Sequence, residues 1–511
     1  MPWSEVDRLS DALALGLQRS GIAAGERVLV CLQNVPQFVI AMIGIWKAGA
    51  ILVPTNPMYR SAELRHTLVD SGAIAVIASA EEFDQAMRAA LIGTAVRLVL
   101  TTRVRDFLDG QQVPPHLKAL LDTPVPVHTT DLLAFCRQHA DTQPAQTAFA
   151  ASDIAMIAYT SGTTGPQKGA TNTHANVNFA SQVYRDFIHL QPDEPVLGVA
   201  PLSHMTGLIA HMGISVITGA PLVLMVRFDA GLCLRLLQQY RCGFMVGSIT
   251  VFVALTEHPD LATSDLSALT RAYSGGAPVA PSLVERFEQL TGCYIHNCFG
   301  MTETTAPAVL TPRDARAPVD PASGALSIGV PVPDTIVTVH DDQGQPLVAG
   351  EVGELYFSGP QVVPGYWNNP QATRNAITPD GALRSGDIGF MDAAGWVYLI
   401  DRKKDQINAA GFKVWPREVE DVLYQFPGVN EVIVVGVPDA YRGETVAAFI
   451  RLADQRPQAA PTVAAVQAFC RERLAAFKCP TQVSFVSELP KTATGKLSRQ
   501  AVRSQQGATE G

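Results

Sequence analysis

Short apolar runs and helical apolar spacings alternate through the first 150 residues of this chain. Val28–Leu32, Ile51–Pro54, Ala73–Ala78 and Leu98–Thr101 are compact aliphatic blocks, the pattern of strands buried on both faces. Between them, Pro36–Lys47, Ala62–Asp70 and Glu81–Leu91 place apolar residues at helical intervals. This alternation predicts mostly parallel sheet covered by helices, an α/β fold. It resumes with helices over Asn176–Phe187, Leu232–Tyr240 and Pro281–Leu290 and a strand over Pro221–Val226.

From about Ile328 the texture changes. Asp341–Gly344, Val348–Gly353, Asp380–Gly381 and Asp392–Gly395 carry turn residues between β-type runs, which predicts a β-rich subdomain over residues 328–400. A new α/β pattern follows Asp401. Its strands are Val432–Val437, Val446–Ile450 and Val483–Val486, with a helix over Val463–Phe477. A further helix runs from Pro416 through Gln425, with Glu418 and Glu420 expected on a solvated face. The expected division is a large domain, 1–401, hinged to a small α+β lid, 402–511, whose last dozen residues are frayed.

Composition narrows the class. A chain of 511 residues with 47% hydrophobic and 17% charged residues should form at least two well-cored domains. Its net charge of −9 argues against a nucleic-acid-binding face. The eight cysteines are scattered without a C-x-x-C pair, as expected of free thiols in a reducing cytoplasm. The first residues, MPWSEVDRLSDALALGLQ, carry early acids and do not read as a signal peptide. Leu208–Val226 holds no charged residue, but Gly213, Gly219 and Pro221 interrupt it. A buried helix followed by a buried strand accounts for it better than a membrane span. Peripheral membrane contact and a homodimer stay open.

The most informative stretch is Tyr159–Ala170, YTSGTTGPQKGA. Gly162, Gly165 and Gly169 let successive backbone N–H groups turn toward one anion. Thr160, Ser161, Thr163 and Thr164 add hydroxyls, and Lys168 adds a mobile charge, which is chemistry for gripping a polyphosphate. Neither G-x-x-x-x-G-K-[ST] nor G-x-G-x-x-G occurs in the chain.

This segment resembles the phosphate-binding motif of the adenylate-forming enzymes: acyl-CoA synthetases, aryl-CoA ligases, peptide-synthetase adenylation domains and luciferases. Later motifs fall in that family's order over almost the whole chain. They are PLSHMTG (201–207), SGGAP (274–278), NCFGMTET (297–304), RSGDIG (384–389), DRKKD (401–405), NAAGFKVW (408–415) and LPKTATGKLSR (489–499). Pro166 stands one place early relative to the usual motif, with Gln167 before the lysine. The start is short by some tens of residues before the helix matching Trp3–Leu17.

The resemblance implies ATP and CoA as substrates and Mg²⁺ as cofactor. It implies adenylation by Lys496, with Thr302 on the α-phosphate, Glu303 and Thr164 on the metal, and His204 in a gating or positioning role. ATP or AMP would be bound by Thr160 through Gly165, Lys168, Gly275, Gly276, Ala277, Asn297, Phe299, Gly300, Met301, Asp387 and Arg402. Lys404 would be the hinge, and Gly411, Phe412 and Lys413 would meet CoA. Met205, Thr206, Gly207, Ile249, Phe252, Ser274 and Cys298 would line the acyl pocket. That set contains no acid to bind an amino acid's ammonium group, so a medium- or long-chain fatty acid is the expected substrate, an aryl or alicyclic acid the runner-up. A stand-alone adenylase loading a carrier protein is the second class. Against it, no insertion of the kind typical of CoA-independent fatty acyl-AMP ligases lies between Gly386 and Gly411. A degenerate binding protein is the third, and the expected polar positions are all filled.

Overall fold

The structure is a computed structural model. It describes all residues except 109–122, 141–143, 145–146, 161–166, 277–278, 323, 403–404, 410–411, 440–442, 454–460, 493–495 and 508–511. The chain divides into two compact units: residues 1–246, 301–307 and 360–381, and residues 247–300, 308–359 and 382–511.

In the first unit, the expected β-α alternation becomes a seven-stranded sheet. Its order is 130–131, 98–102, 75–79, 27–31, 51–54, 154–159, 169–173. Every neighbouring pair is parallel except the last, where Ile154–Tyr159 and Gly169–Thr173 run antiparallel. Pro36 opens the Pro36–Lys47 helix at its first turn, where a missing N–H leaves nothing unsatisfied. That helix buries Phe38, Ile40, Ala41 and Ile45. Leu29, Val53, Val76 and Ile157 meet Leu64, Leu68, Phe83 and Met87 in the core under one face.

Two expectations about helices change in detail. Glu81–Leu91 is not one α-helix: residues 83–87 form a π-helical turn between short α-helical ends. Phe83, Ala86 and Met87 are buried on it at the i, i+3, i+4 spacing that an α-helix would also bury, so the apolar pattern gives no sign of the wider turn. In the uncharged stretch, Thr206–Gly213 is π-helical and Ile214–Thr218 α-helical. Gly219 then ends the helix at φ +74°, and Leu222–Leu224 is a strand. Among the described residues, no helix is long and apolar enough to cross a membrane.

In the second unit, Arg271–Gly275 lies parallel to Ile295–Met301. The β-rich segment is an antiparallel meander of 336–340, 353–358, 383–391 and 397–402. The C-terminal sheet is built on the hairpin Val429–Asp439 and Gly443–Leu452. Val432 and Val434 face the core with Val419, Leu423 and Val466, while Ile433 and Val435 face Leu489 and Val502. Both faces of the strand are covered, which is why its sequence is a continuous apolar run. Up to residue 507 Val502 also corrects the expectation of a frayed end, and the remaining residues of that expectation, 508–511, lie outside the described residues. Arg499–Gly507 is a helix, held by that buried contact. All eight cysteines are free and seven are buried.

Candidate active site

Tyr159 and Gly169, on either side of the glycine-rich stretch, pair in antiparallel register. The base of the stretch is closed by the Thr160 N–H donating to the Lys168 carbonyl at 2.9 Å. Ser161, Gly162, Thr163, Thr164 and Gly165 lie outside the described residues. Gln167, at the position where this loop departs from the usual motif, donates from its side chain to the Tyr59 hydroxyl at 2.9 Å. Its carbonyl meets His66 Nε2 at 3.1 Å. The substitution therefore ties the loop base to its neighbours.

Lys168 and Glu303 meet at a residue the sequence reading missed. Lys168 Nζ sits 4.7 Å from the centre of the Tyr366 ring, and the Tyr366 hydroxyl donates to Glu303 Oε1 at 2.6 Å. Burial and the adjacent Glu303 carboxylate push the Tyr366 phenol well above its ordinary range, so it remains a neutral donor. The tyrosine is placed by main-chain pairing with the strand after the loop. Thr171 donates to the Gly365 carbonyl at 3.0 Å and Trp367 to the Gly169 carbonyl at 2.7 Å. The only local signal for it was the Pro364–Gly365 turn before two aromatic residues.

The turn carrying Thr302 and Glu303 is held from below. Asn172 Nδ2 donates to the Thr302 carbonyl at 3.1 Å and to Thr305 Oγ1 at 2.9 Å. Thr304 Oγ1 accepts from the Met301 N–H at 2.8 Å. Thr305 and Ala306 both take positive φ, +50° and +76°, an unfavourable conformation for residues with a Cβ. His204 and the buried Met205 lead into the π-helical segment. The Thr206 N–H points to His204 Nδ1 at 3.4 Å, and a Cβ on Gly207 would fall 2.1 Å from the Pro201 carbonyl oxygen.

In the second unit, Ser274 and Gly275 pair with Asn297 and Cys298 on adjacent parallel strands. Gly276 turns the chain at φ +78°. A Cβ there would stand 2.4 Å from Lys496 Nζ, so the lysine's ammonium occupies the space that the glycine leaves. A Cβ on Gly275 would stand 2.6 Å from Cys298 Sγ. Ser274 is buried, and its hydroxyl has no hydrogen-bond partner among the described residues. Asn297 donates its side-chain amide to the Ser327 carbonyl at 2.8 Å. Phe299 stacks on Phe357 with centroids 5.5 Å apart, and the half-exposed Met301 closes that strand after exposed Gly300. Ile249 and Phe252 are buried on one helix, where Phe252 packs edge-on to Phe287.

Asp387, only 2% exposed, stands opposite Arg402 in antiparallel register. Phe412 is exposed and stacks on Phe477 at 4.6 Å, and Lys413 pairs through its backbone with Asn408. Ala277, Lys404 and Gly411 lie outside the described residues. Glu418 and Glu420 are not a solvated face. Glu418 pairs with Lys478, and Glu420 is buried against Arg499 at 2.6 Å. Helical spacing put both on the polar side, but that side packs against distant cations. A cavity of about 540 Å³ between Leu269, Thr270, Tyr294, His296 and Arg313 contains none of the expected site residues. Among the described residues, no group of three or more His, Cys, Asp or Glu is placed to hold a metal.

The sequence profile of the AMP-binding enzymes matches residues 1–367, and that of the AMP-binding enzyme C-terminal domain matches 418–496. The chain belongs to the AMP-binding enzyme family. The long-chain-fatty-acid–CoA ligase of Bacillus subtilis is 36% identical over 509 residues, covering 96% of this chain and 88% of its own. The feruloyl-CoA synthase of an Amycolatopsis species is 33% identical, covering 98% of this chain and 93% of its own. Among solved structures, ATP-bound MatB from Rhodopseudomonas palustris superimposes with a TM-score of 0.87 at 25% identity, over 100% of this chain and 94% of that one. A benzoate CoA ligase from Burkholderia xenovorans gives 0.84 at 26% identity, over 98% and 94%.

Proposed function

We propose that this AMP-binding enzyme is an ATP-dependent acid–CoA ligase acting on a medium- or long-chain fatty acid. In the first half-reaction a carboxylate oxygen bonds to the α-phosphorus of ATP, and the bond to the bridging oxygen breaks to release pyrophosphate. In the second, the CoA sulfur bonds to the acyl carbon as its thiol proton is lost, and AMP leaves. One observation carries the reading: the Lys496 ammonium lies against Gly276, in the turn expected to line adenine and acyl group. A compact ammonium there can bridge the incoming carboxylate and the α-phosphate as their charges redistribute.

Lys168, Thr302 and the hydroxyl-rich loop are assigned to the phosphates, Asp387 and Arg402 to the ribose, and Phe299 to the adenine face. Mg²⁺, held by Glu303, Thr164 and the phosphate oxygens of ATP, would supply charge neutralisation as pyrophosphate forms. The donor set fits such a hard cation, which keeps most of its waters and needs few protein oxygens. Glu303 has one oxygen bonded by Tyr366, and its other accepts from no group among the described residues. Gly411, Phe412 and Lys413 are assigned to CoA. A cytoplasmic setting agrees with eight free thiols.

The fatty-acid assignment is supported by curated relatives named long-chain-fatty-acid–CoA ligase and by the apolar candidate lining. An aryl acid is the second reading, favoured by the feruloyl-CoA synthase and the benzoate and anthranilate CoA ligases among the similar proteins. The test is pyrophosphate and AMP release with Mg-ATP across acetate to palmitate plus benzoate, with and without CoA. CoA-dependent turnover on long acids is expected, and turnover on benzoate alone would transfer the assignment to aryl acids. Pyrophosphate release without CoA-driven turnover would point to a carrier-loading adenylase. Lys496→Ala should lower pyrophosphate release about 100-fold or more. An unchanged rate would remove Lys496 from the mechanism.

A further inference from the structure

Three residues beyond Lys496, the Arg499 side chain enters a nearly dry cluster of ions. Its Nη1 lies 2.7 Å from Asp401 Oδ1 and 3.5 Å from Asp405 Oδ2, and its Nη2 lies 2.6 Å from Glu420 Oε2. Asp401 and Glu420 side chains are 2% and 11% exposed. Asp401 uses its second oxygen to accept the Arg417 N–H at 2.9 Å, and the Arg417 guanidinium donates to the Leu399 carbonyl at 2.9 Å. Asp405 also accepts from Arg503 at 2.9 Å, and Glu420 accepts from the Val434 N–H at 2.8 Å. One guanidinium therefore joins three separate stretches of chain: the 401–405 segment, the Pro416–Tyr424 helix and the helix that follows Lys496.

On either side of Lys496 the described residues are held by the chain's own contacts. The near side is pinned by Leu489, which is buried, and by Lys491 pairing with Glu431 at 2.7 Å. Thr492 donates to the Lys496 carbonyl at 2.6 Å and Ser498 to that of Pro490 at 2.9 Å, which closes a small hairpin. Arg499 is the far foot of that hairpin. The fork geometry of arginine matches two carboxylates at once, and a lysine cannot reproduce it.

We propose that Arg499 is a positioning residue for the adenylation half-reaction, fixing the Lys496 loop to Asp401 and Glu420 so that the ammonium stays at Gly276. This rests on the reading of Lys496 given above. A buried ion cluster that only stabilised the fold would affect every step alike, whereas an anchor for Lys496 affects only the step that uses it.

The test uses the full chain and two single-turnover assays: pyrophosphate release from Mg-ATP with an acid that turns over, and consumption of chemically prepared acyl-adenylate by CoA. Arg499→Lys should slow the first about 10- to 100-fold, the scale of a small misplacement of a reacting group. It should leave the second within about 3-fold. Added to Lys496→Ala, it should slow adenylation no further, because residues acting through one group are not additive. Asp401→Asn, which keeps its shape and one acceptor, makes the same test if Arg499→Lys does not fold. Equal slowing of both half-reactions, unchanged adenylation, or a full additional loss in the double variant would each overturn the proposal. An unchanged adenylation rate in Lys496→Ala alone would instead overturn the reading beneath it.

Discussion

Two groups of charged residues in this protein are built on opposite plans. Around Tyr366, Lys168 and Glu303 contact the ring face and the hydroxyl of one neutral phenol, with no ion pair from either among the described residues. Around Arg499, by contrast, four largely buried carboxylates pair with the guanidiniums of Arg417, Arg499 and the more exposed Arg503. A charge left without a counter-ion is stable only where solvent or a ligand reaches it. A charge without solvent is stable only where its partners surround it. The first plan keeps charge available for a visiting anion or cation, and the second uses charge to hold chain segments in register.

The comparison predicts that damage to the two groups separates into stability and rate. Glu420→Ala should show the largest effect, about 3–5 kcal/mol lost in chemical denaturation, because it leaves a buried guanidinium short of a partner. A loss below about 1 kcal/mol would mean that the cluster is wetter than its exposures indicate.

Next comes a pH effect in the same cluster. Burial pushes the Asp421 carboxyl up to about 6, with Arg417 opposing that rise. A raised carboxyl pKa means that the folded chain holds the proton more tightly than the unfolded chain. Its contribution is complete below about pH 4 and is lost as pH rises through 6, up to about 3 kcal/mol. The stability of Asp421→Asn relative to the parent should therefore improve between pH 4 and 7. A parallel pair of pH curves would contradict this.

At the other group, Glu303→Gln should leave the denaturation midpoint almost unchanged while lowering pyrophosphate release about 100-fold. Smallest of all, Tyr366→Phe keeps the ring under Lys168 and removes one hydrogen bond to a carboxylate, a change of about 1–2 kcal/mol read in the KM for Mg-ATP. If it matched Glu303→Gln in size, the tyrosine would be doing more than orienting that acid.

The sequence made some features legible and hid others for a physical reason. Pro36–Lys47 and Ile51–Pro54 were read to the residue, because a proline start and a closed apolar block are local signals. Lys496 and Gly276 stand 220 residues apart, yet both were legible through motif order. Tyr366 was not, since its role comes from strand pairing with Gly169–Thr171 and contact with Glu303, 63 positions away. Glu420 was misread for the same reason: its partner Arg499 is 79 positions away and helical spacing carries no sign of it.

Sequence alone determined the alternation of strands and helices, the β-rich insertion and the family, because apolar period and motif order are written in consecutive residues. Tertiary structure decided which charges are kept for a ligand and which neutralise each other. Electrostatic partnership depends on distance and dielectric in space, and the chain does not encode either until it has folded.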